Sequence, residues 1–320
     1  MSGELRGRAL GMYTRPVRSR IMLTVALAGC GALVLIAGHL VAGQALAERF
    51  ATVALSRAPV ARLAAGTFRM GSSDADIAFA SALCQSYAQP GLLCDAATFQ
   101  DEQPTHLVQL AAFAIDRTEV TRQAYLRCVA AGACPPSRVP EGDARIGEPQ
   151  HPVVLVTAAE AEAYCAAVGG RLPSEAEWER AARAGGARRF PWGNQWNDRL
   201  ANAAPVDPAA PDRDGYRFLA PVGVLRDGAN PHGLMDMAGN VWELTADHYD
   251  AQAYAHAITV EPRGREHGEL RVIRGGSHAS PPHTLRVAQR GTVRENEPRP
   301  DVGFRCAYSE PFRPAAHRPD

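Results

Sequence analysis

The sequence predicts an α/β domain of low regular content behind an N-terminal transmembrane segment. Three observations carry this reading. An apolar run from Ile21 to Gly38 follows Arg15, Arg18 and Arg20. Three helices between Thr121 and Gly186 have explicit start and stop signals. From Arg188 onward the pattern is mostly loop, punctuated from a stock of 29 glycines and 24 prolines.

The chain has 320 residues, enough for one large domain or two small ones. Lysine plus arginine balance aspartate plus glutamate, 34 against 34, so no electrostatic case for nucleic acid arises. The apolar run approaches the length of a bilayer core, and its basic flank stays on the cytoplasmic side. Length favours a single-pass signal anchor. Two alternatives stay open. Ala45-Leu46-Ala47 resembles a signal-peptide cleavage site. Leu27-Ala28-Gly29-Cys30 resembles a lipidation box, although the residues after Cys30 remain apolar. All three readings export the rest of the chain. The expected division is a basic cytoplasmic segment (1–20), a membrane anchor (21–43), a linker (44–64), a globular domain (65–308) and a tail (309–320).

Of seven cysteines, six lie beyond Cys30, an even number that suits an oxidising compartment. Sequence does not fix their pairing. Cys84 with Cys94 and Cys128 with Cys134 are near neighbours, which leaves Cys165 with Cys306. Six free buried thiols are the alternative. None of the six has a metal-type Cys-x-x-Cys spacing.

Each element follows in order. Residues 75–105, with Asp101-Glu102-Gln103-Pro104, read as a surface loop. Leu107 to Asp116 alternates partly and predicts one or two short strands. Thr121 caps a helix that turns Tyr125, Cys128 and Val129 inward and stops at Gly132. Thr157 and Glu160 form a capping box, followed by Ala161, Tyr164, Cys165 and Val168 on one face and a stop at Gly169-Gly170. Ser174 and Glu177 form a second box, with Trp178, Ala181 and Ala182 as the apolar stripe and Gly185-Gly186 as terminator. Arg271–Arg274 and Phe304–Tyr308 are short strand candidates. So long a loop in a compact domain needs bound metal or disulfides to hold it.

Several motifs occur in one order: Ala65-Gly66-Thr67-Phe68-Arg69-Met70-Gly71, then Glu119-Val120-Thr121, His151-Pro152-Val153 and Arg171-Leu172-Pro173-Ser174-Glu175-Ala176-Glu177-Trp178-Glu179. Pro191-Trp192-Gly193, Gly233-Leu234-Met235-Asp236-Met237-Ala238-Gly239-Asn240-Val241-Trp242-Glu243, Arg274-Gly275-Gly276-Ser277 and Gly303-Phe304-Arg305-Cys306 follow. This set resembles the formylglycine-generating enzyme (sulfatase-modifying factor) family from about Ala65 to Tyr308. One departure is Ala158, where the family usually has tryptophan. The resemblance implies a single domain related to C-type lectin-like folds. It also implies two structural calcium sites. One falls on Asp236, Glu243 and the carbonyls of Gly239 and Val241; the other falls on Asn202, Asp214 and the carbonyls of Ala203 and Tyr216. Carboxylates and carbonyls on loops are suitable calcium donors. Capped turns with a solvated glutamate are the plainer reading of the first set.

In active members two cysteines five residues apart hold Cu(I) and oxidise a substrate cysteine. The matching positions here are Ser280 and Leu285, with Pro281 and Pro282 stiffening the segment between. Serine is a poor ligand for a soft ion and leucine offers none, which disfavours copper. His278 and His283 bracket Ser280 and are candidates for iron, although surface histidines are the plainer reading. Arg286, Arg290 and Arg294 recur every fourth residue, as a solvated face, as partners of carboxylates or as an anion site. Trp242 and Ser277 match positions near the family's peptide groove, though Trp242 is equally readable as a core residue.

The expected protein is a membrane-anchored, exported domain that binds a peptide or envelope protein, or serves structurally, without catalysis. The alternative is an oxidoreductase of altered, iron-dependent chemistry on a peptide or small exported substrate, with His278 and His283 lining its groove.

Overall fold

The computed structural model describes residues 55, 57–87, 93–205, 213–256, 258–265 and 267–309. The expected cytoplasmic segment, membrane anchor, Cys30, most of the linker and the tail beyond Ser309 lie outside the described residues. Among the described residues no helix is long and apolar enough to cross a membrane.

Regular elements are short, and three small sheets share the domain. Strand β1 (Val60–Leu63) pairs antiparallel with β4 (Phe113–Asp116), which pairs with β9 (Ala307–Ser309). A hairpin-like pair joins β2 (Gly66–Met70) to β3 (His106–Leu110). The third sheet runs β7 (Arg290–Arg294), β6 (Leu270–Arg274), β5 (Trp242–His248), β8 (Val302–Gly303), with β5 and β8 parallel. Period-two alternation sets the faces. Phe68 and Met70 of β2 and Val108 and Leu110 of β3 point inward, and Phe68 sits opposite Val108.

The helices obey their caps. Helix α1 (Asp74–Ser86) begins with a Ser73–Asp76 capping box, and α2 (Arg122–Ala130) begins at the Thr121 cap. Helix α3 (Ala158–Ala167) and helix α4 (Glu175–Arg183) carry the two expected boxes, Thr157–Glu160 and Ser174–Glu177. Helix α4 ends one residue early, because Ala184 itself turns left-handed at φ 46° before Gly185 continues at φ 74°. Ala158 is buried at the start of α3.

Two boundaries differ from expectation. Residues 60–63, read as linker, form β1, because Ala61 and Leu63 are buried against the β4 face. Residues 75–105, read as surface loop, hold α1 and a 3₁₀ stretch over Ala96–Glu102, with Phe99 and Glu102 buried. The patterned signal was missed because α1 buries a narrow stripe of only Ile77, Ala80 and Cys84.

Three disulfides tie the frame: Cys84–Cys94, Cys128–Cys134 and Cys165–Cys306. The last joins α3 to the segment before β9 across 141 residues. Around it Tyr125 stacks on Tyr164, which meets Phe304 edge-on, in the larger apolar cluster. Trp178, with no exposed surface, anchors the second cluster under β2, β3 and β4.

The long loop region is held by asparagines. Asn230 donates to the carbonyls of Ala181 and Ala182 at the end of α4 and accepts from the amides of His232 and Leu234. Side-chain amides offer two donors and a carbonyl, so one residue closes several backbone groups.

Two predictions follow from the Cys165 end of the molecule. Replacing Cys165 and Cys306 together by alanine is expected to cost about 2–5 kcal/mol, read as a fall in the denaturant midpoint. Beside that bridge, Asp116 accepts from the Cys306 amide at 3.0 Å and the Tyr308 hydroxyl at 3.0 Å. Burial pushes its pKa from 3.8 up to about 7, against those bonds and the Arg305 charge, which pull it down. The native state therefore holds a proton that the unfolded chain has lost between about pH 4 and pH 7. Asp116 stabilises fully below its unfolded pKa, and that contribution fades as pH rises through 7. Against Asp116→Asn, the unmodified chain is expected to lose thermal stability between pH 5 and pH 8 (estimated window).

Candidate functional site

Two neighbouring sets of side chains meet on the loop side of β5. Strand β6 ends at Arg274, whose guanidinium is fixed by Glu175 (3.1 Å), Glu179 (2.5 Å) and the carbonyls of Val287 and Ala288. Two left-handed glycines, Gly275 (φ 91°) and Gly276 (φ 75°), then swing the chain back. Ser277 follows them. Its amide donates to Ser280 Oγ at 2.9 Å, the two hydroxyls lie 3.2 Å apart, and Ser277 Oγ donates to Asp301 at 3.4 Å. Asp301 is clamped by Arg299, and its carbonyl accepts from the Trp242 amide. His278 donates its amide to the Asn240 carbonyl, which its Nδ1 also meets at 3.3 Å, and its ring faces Phe218 edge-on. Burial holds the His278 imidazole below its usual pKa. Ser277, His278 and Ser280 thus converge around Asp301 and Asn240, which Trp242 joins only through its backbone amide. Trp242 is half-buried and packs over Gly291, where a Cβ would come within 2.8 Å of its ring.

His283 has other neighbours. It is buried, faces Phe99 edge-on, and sits beside Arg286. Desolvation, with the Arg286 charge second, lowers its pKa to about 4. Its Nδ1 is buried without a hydrogen-bond partner. The surface reading of this histidine therefore fails. Leu285 has no exposed surface and packs with Phe190, Ala201 and Ala238. The arginine row is equally internal at its start: Arg286 pairs with Glu102 and Arg290 with Glu175, while Arg294 is exposed. Carboxylate pairing, among the sequence readings, describes Arg286 and Arg290.

The second set centres on Asn240, in the left-handed region at φ 62°. Its Oδ1 accepts from the Ala220 amide and Asn202 Nδ2, and its Nδ2 donates to Glu119 at 3.0 Å. Gly239 before it is obligatory, since a Cβ would meet the Asn202 carbonyl at 2.1 Å. Asn202 Nδ2 also donates to the Phe218 carbonyl, which leaves Asn202 Oδ1 buried without a partner. Close by, Asp214 accepts from the amides of Ala203 (3.2 Å) and Tyr216 (2.8 Å). Of the expected Asn202–Ala203–Asp214–Tyr216 set, Ala203 and Tyr216 meet Asp214 through their amides, while the Asn202 side chain is bonded to Phe218 and Asn240.

Asp236, also left-handed at φ 59°, accepts from the Gly223 amide. It faces Glu119, and burial raises the carboxyl pKa of both. The raised pKa of both carboxyls and the hydrogen bond between them point to a proton shared by the pair, while Glu119 Oε2 has no hydrogen-bond partner among the described residues. Glu243 is committed elsewhere: Arg305 grips both oxygens at 2.6 and 2.7 Å and Trp178 Nε1 donates at 2.8 Å. The solvated reading of Glu243 therefore fails, since it has no exposed surface. Sequence reasoning passed over Glu119 as an acidic partner, although it stands in the Glu119-Val120-Thr121 motif. Among the described residues no group of three or more His, Cys, Asp or Glu side chains is poised to hold a metal ion.

With this geometry in hand, the comparisons are decisive for the family. The sulfatase-modifying factor enzyme 1-like domain matches residues 48–310. The chain belongs to that family. It is similar to the formylglycine-generating enzyme of Streptomyces coelicolor, 40% identical over 176 residues, covering 50% of this chain and 54% of that protein. It is also similar to the inactive C-alpha-formylglycine-generating enzyme 2 of Mus musculus, 37% identical over 166 residues and 49% of each chain. The chain thus spans about half the length of these curated relatives. Among solved structures, PvdO from Pseudomonas aeruginosa superimposes with a TM-score of 0.60 at 30% identity, covering 78% of this chain and 93% of that one.

One prediction concerns the Glu243 clasp. Glu243→Gln keeps an acceptor for Trp178 but leaves the buried Arg305 without its counter-charge. It is expected to destabilise by about 3–5 kcal/mol in chemical denaturation.

Proposed function

We propose that this chain is a membrane-anchored, exported member of the sulfatase-modifying factor family that binds a peptide or envelope protein without copper-dependent oxidation. The observation that carries this is the state of the two positions that the family resemblance assigns to copper. Leu285 is sealed in an apolar cluster, and Ser280 is spent on Ser277. All six cysteines of the described residues are in disulfides, so none supplies a thiolate there. Cu(I) prefers sulfur donors, and a hydroxyl and an isobutyl group are no replacement. Export is supported by the arginine-flanked apolar run at 21–38 and by the disulfides, which persist in oxidising compartments. The ligand surface in this reading is the groove of Trp242, Ser277 and His278, whose half-buried indole suits an extended peptide.

Calcium is proposed as a structural ion. The unpartnered Asn202 Oδ1 and the Asp214 carboxylate fit a hard cation, with the Ala203 and Tyr216 carbonyls completing the set. At the other site Asp236, with the Gly239 and Val241 carbonyls, would be joined more readily by Glu119 than by Glu243, whose oxygens Arg305 holds. Such ions pin loops and supply no chemistry.

The test loads the full-length chain with Ca(II), Fe(II) and Cu(I), desalts it and measures bound metal by mass spectrometry. Calcium is expected to remain and to fall in Asp214→Asn, with no stoichiometric copper or iron. Ser280→Cys combined with Leu285→Cys is expected to gain copper. Conversion of a cysteine-containing peptide to an aldehyde by the unmodified chain would overturn the proposal. One equivalent of iron, lost in His278→Ala, would favour the oxidoreductase alternative.

A further inference from the structure

Away from those residues, a cavity of about 290 Å³ opens between the start of α4 and residues 250–256 and 258–265. This is the size of a small ligand or a single side chain. Its walls are mostly apolar, with Met70, Ala176, Ala253 and Ile258 among them, and three carboxylates, Glu175, Asp247 and Asp250, lie against it. Glu175 is already neutralised by Arg274 at 3.1 Å and Arg290 at 2.7 Å.

Asp247 is different. It is 7% exposed, and its oxygens accept from the Glu175 amide at 2.7 Å and the Gly264 amide at 2.6 Å. It has no ion pair among the described residues, and the charges that act on it most are the like charges of Glu175 and Glu177. Arg171 is within electrostatic reach, but both its terminal nitrogens are held by Glu177. At the mouth Arg265 is paired with Asp250, and Arg263 is exposed to solvent. A buried carboxylate without a counter-cation is costly, and each Asp247 oxygen keeps a lone pair beyond its backbone bond. An ammonium group supplies three donors and the missing charge, and an aliphatic stem suits the walls.

We infer that this cavity is a binding site for a primary ammonium on an apolar stem, presented by a free alkylamine or by a lysine side chain of a peptide. It goes beyond the groove reading and rests on none of the groove's residues.

The full-length chain is titrated by ligand-observed NMR with n-butylamine and with acetyl-Ala-Lys-Ala-amide. The neutral controls are n-butanol and the peptide with norleucine in place of lysine. At least one cationic probe is expected to bind at least 10-fold (estimated) more tightly than its neutral counterpart, the extra charge–charge hydrogen bond being worth roughly 1.5 kcal/mol or more. The stronger of the two assigns the source. Asp247→Asn is expected to weaken it by about 10-fold, and Ala253→Phe, which fills the cavity without touching the charge, to abolish it. Should Asp247→Asn fail to fold, Ala253→Phe and the neutral controls decide. The inference is overturned if neither cationic probe binds, if the neutral controls bind as well, or if Ala253→Phe changes nothing.

Discussion

Helix α4 carries glutamates into the interior, and the surrounding fold is arranged to answer them with arginines. Glu179, with no exposed surface, accepts from Arg274, Arg183 and the Gly71 amide. Glu175 accepts from Arg274 and Arg290, and Glu177 from Arg171. Taking such charges out of water costs several kcal/mol per ion, and only close geometry with additional hydrogen bonds repays it. The lattice is therefore a constraint on position more than a source of net stability. Arg274 lies at the end of β6, Arg290 at the start of β7 and Gly71 just after β2. One helix thereby fixes the end of one sheet, the edge of another and the departure point of the loop that holds Ser277.

A second clasp extends the first. Glu243 on β5 binds Arg305 and the indole of Trp178 on α4, while Arg305 also donates to the carbonyls of Asp116 and Met235. The chain before β9 is thus tied to the loop that carries Asp236 and Asn240. The Cys165–Cys306 bridge holds the neighbouring residue to α3. Loop positions that look unconstrained in the sequence are set by these internal charges and by asparagine amides. Deep, satisfied polar networks of this kind specify one arrangement of a core that regular sheets do not fill.

What sequence could read follows from this. Capping boxes and apolar spacing placed α3 and α4, because those signals are local. Strand pairing with β9 was invisible, because it joins residues almost 200 apart (Phe113 to Ser309) through a three-residue strand. Periodicity assigns charged residues to solvent, so Glu175, Glu179, Arg274, Arg286 and His283 were the hardest to place. The four glutamates and arginines are buried with ion-pair partners distant in sequence, and His283 is buried against Phe99. The same limit hid the role of Glu119. Motif order singled out Ser277 and Ser280, whose hydroxyls lie 3.2 Å apart, while Trp242 meets Asp301 only through its backbone amide. His283 was not separable from His278, since a spacing of five says nothing about which side of a 3₁₀ turn faces the interior.

The donor chemistry of the site then argues for its own selectivity. Around Ser280 the polar groups are hydroxyls, a carboxylate already gripped by arginine, and an imidazole tied to a carbonyl. Around Asn202 they are an amide oxygen without a donor, a carboxylate and backbone carbonyls. Neither set contains sulfur. In the proposed reading this disfavours soft ions and favours a hard cation of flexible coordination. Filling the Leu285 position with hydrocarbon also removes the room and the polarity that a metal at that point would need. Among the described residues the buried Arg274 and Arg290 bond to α4 glutamates and to nearby backbone carbonyls, and not to Ser280 or Leu285. Fold does not dictate chemistry, so the family scaffold is compatible with the proposed binding role.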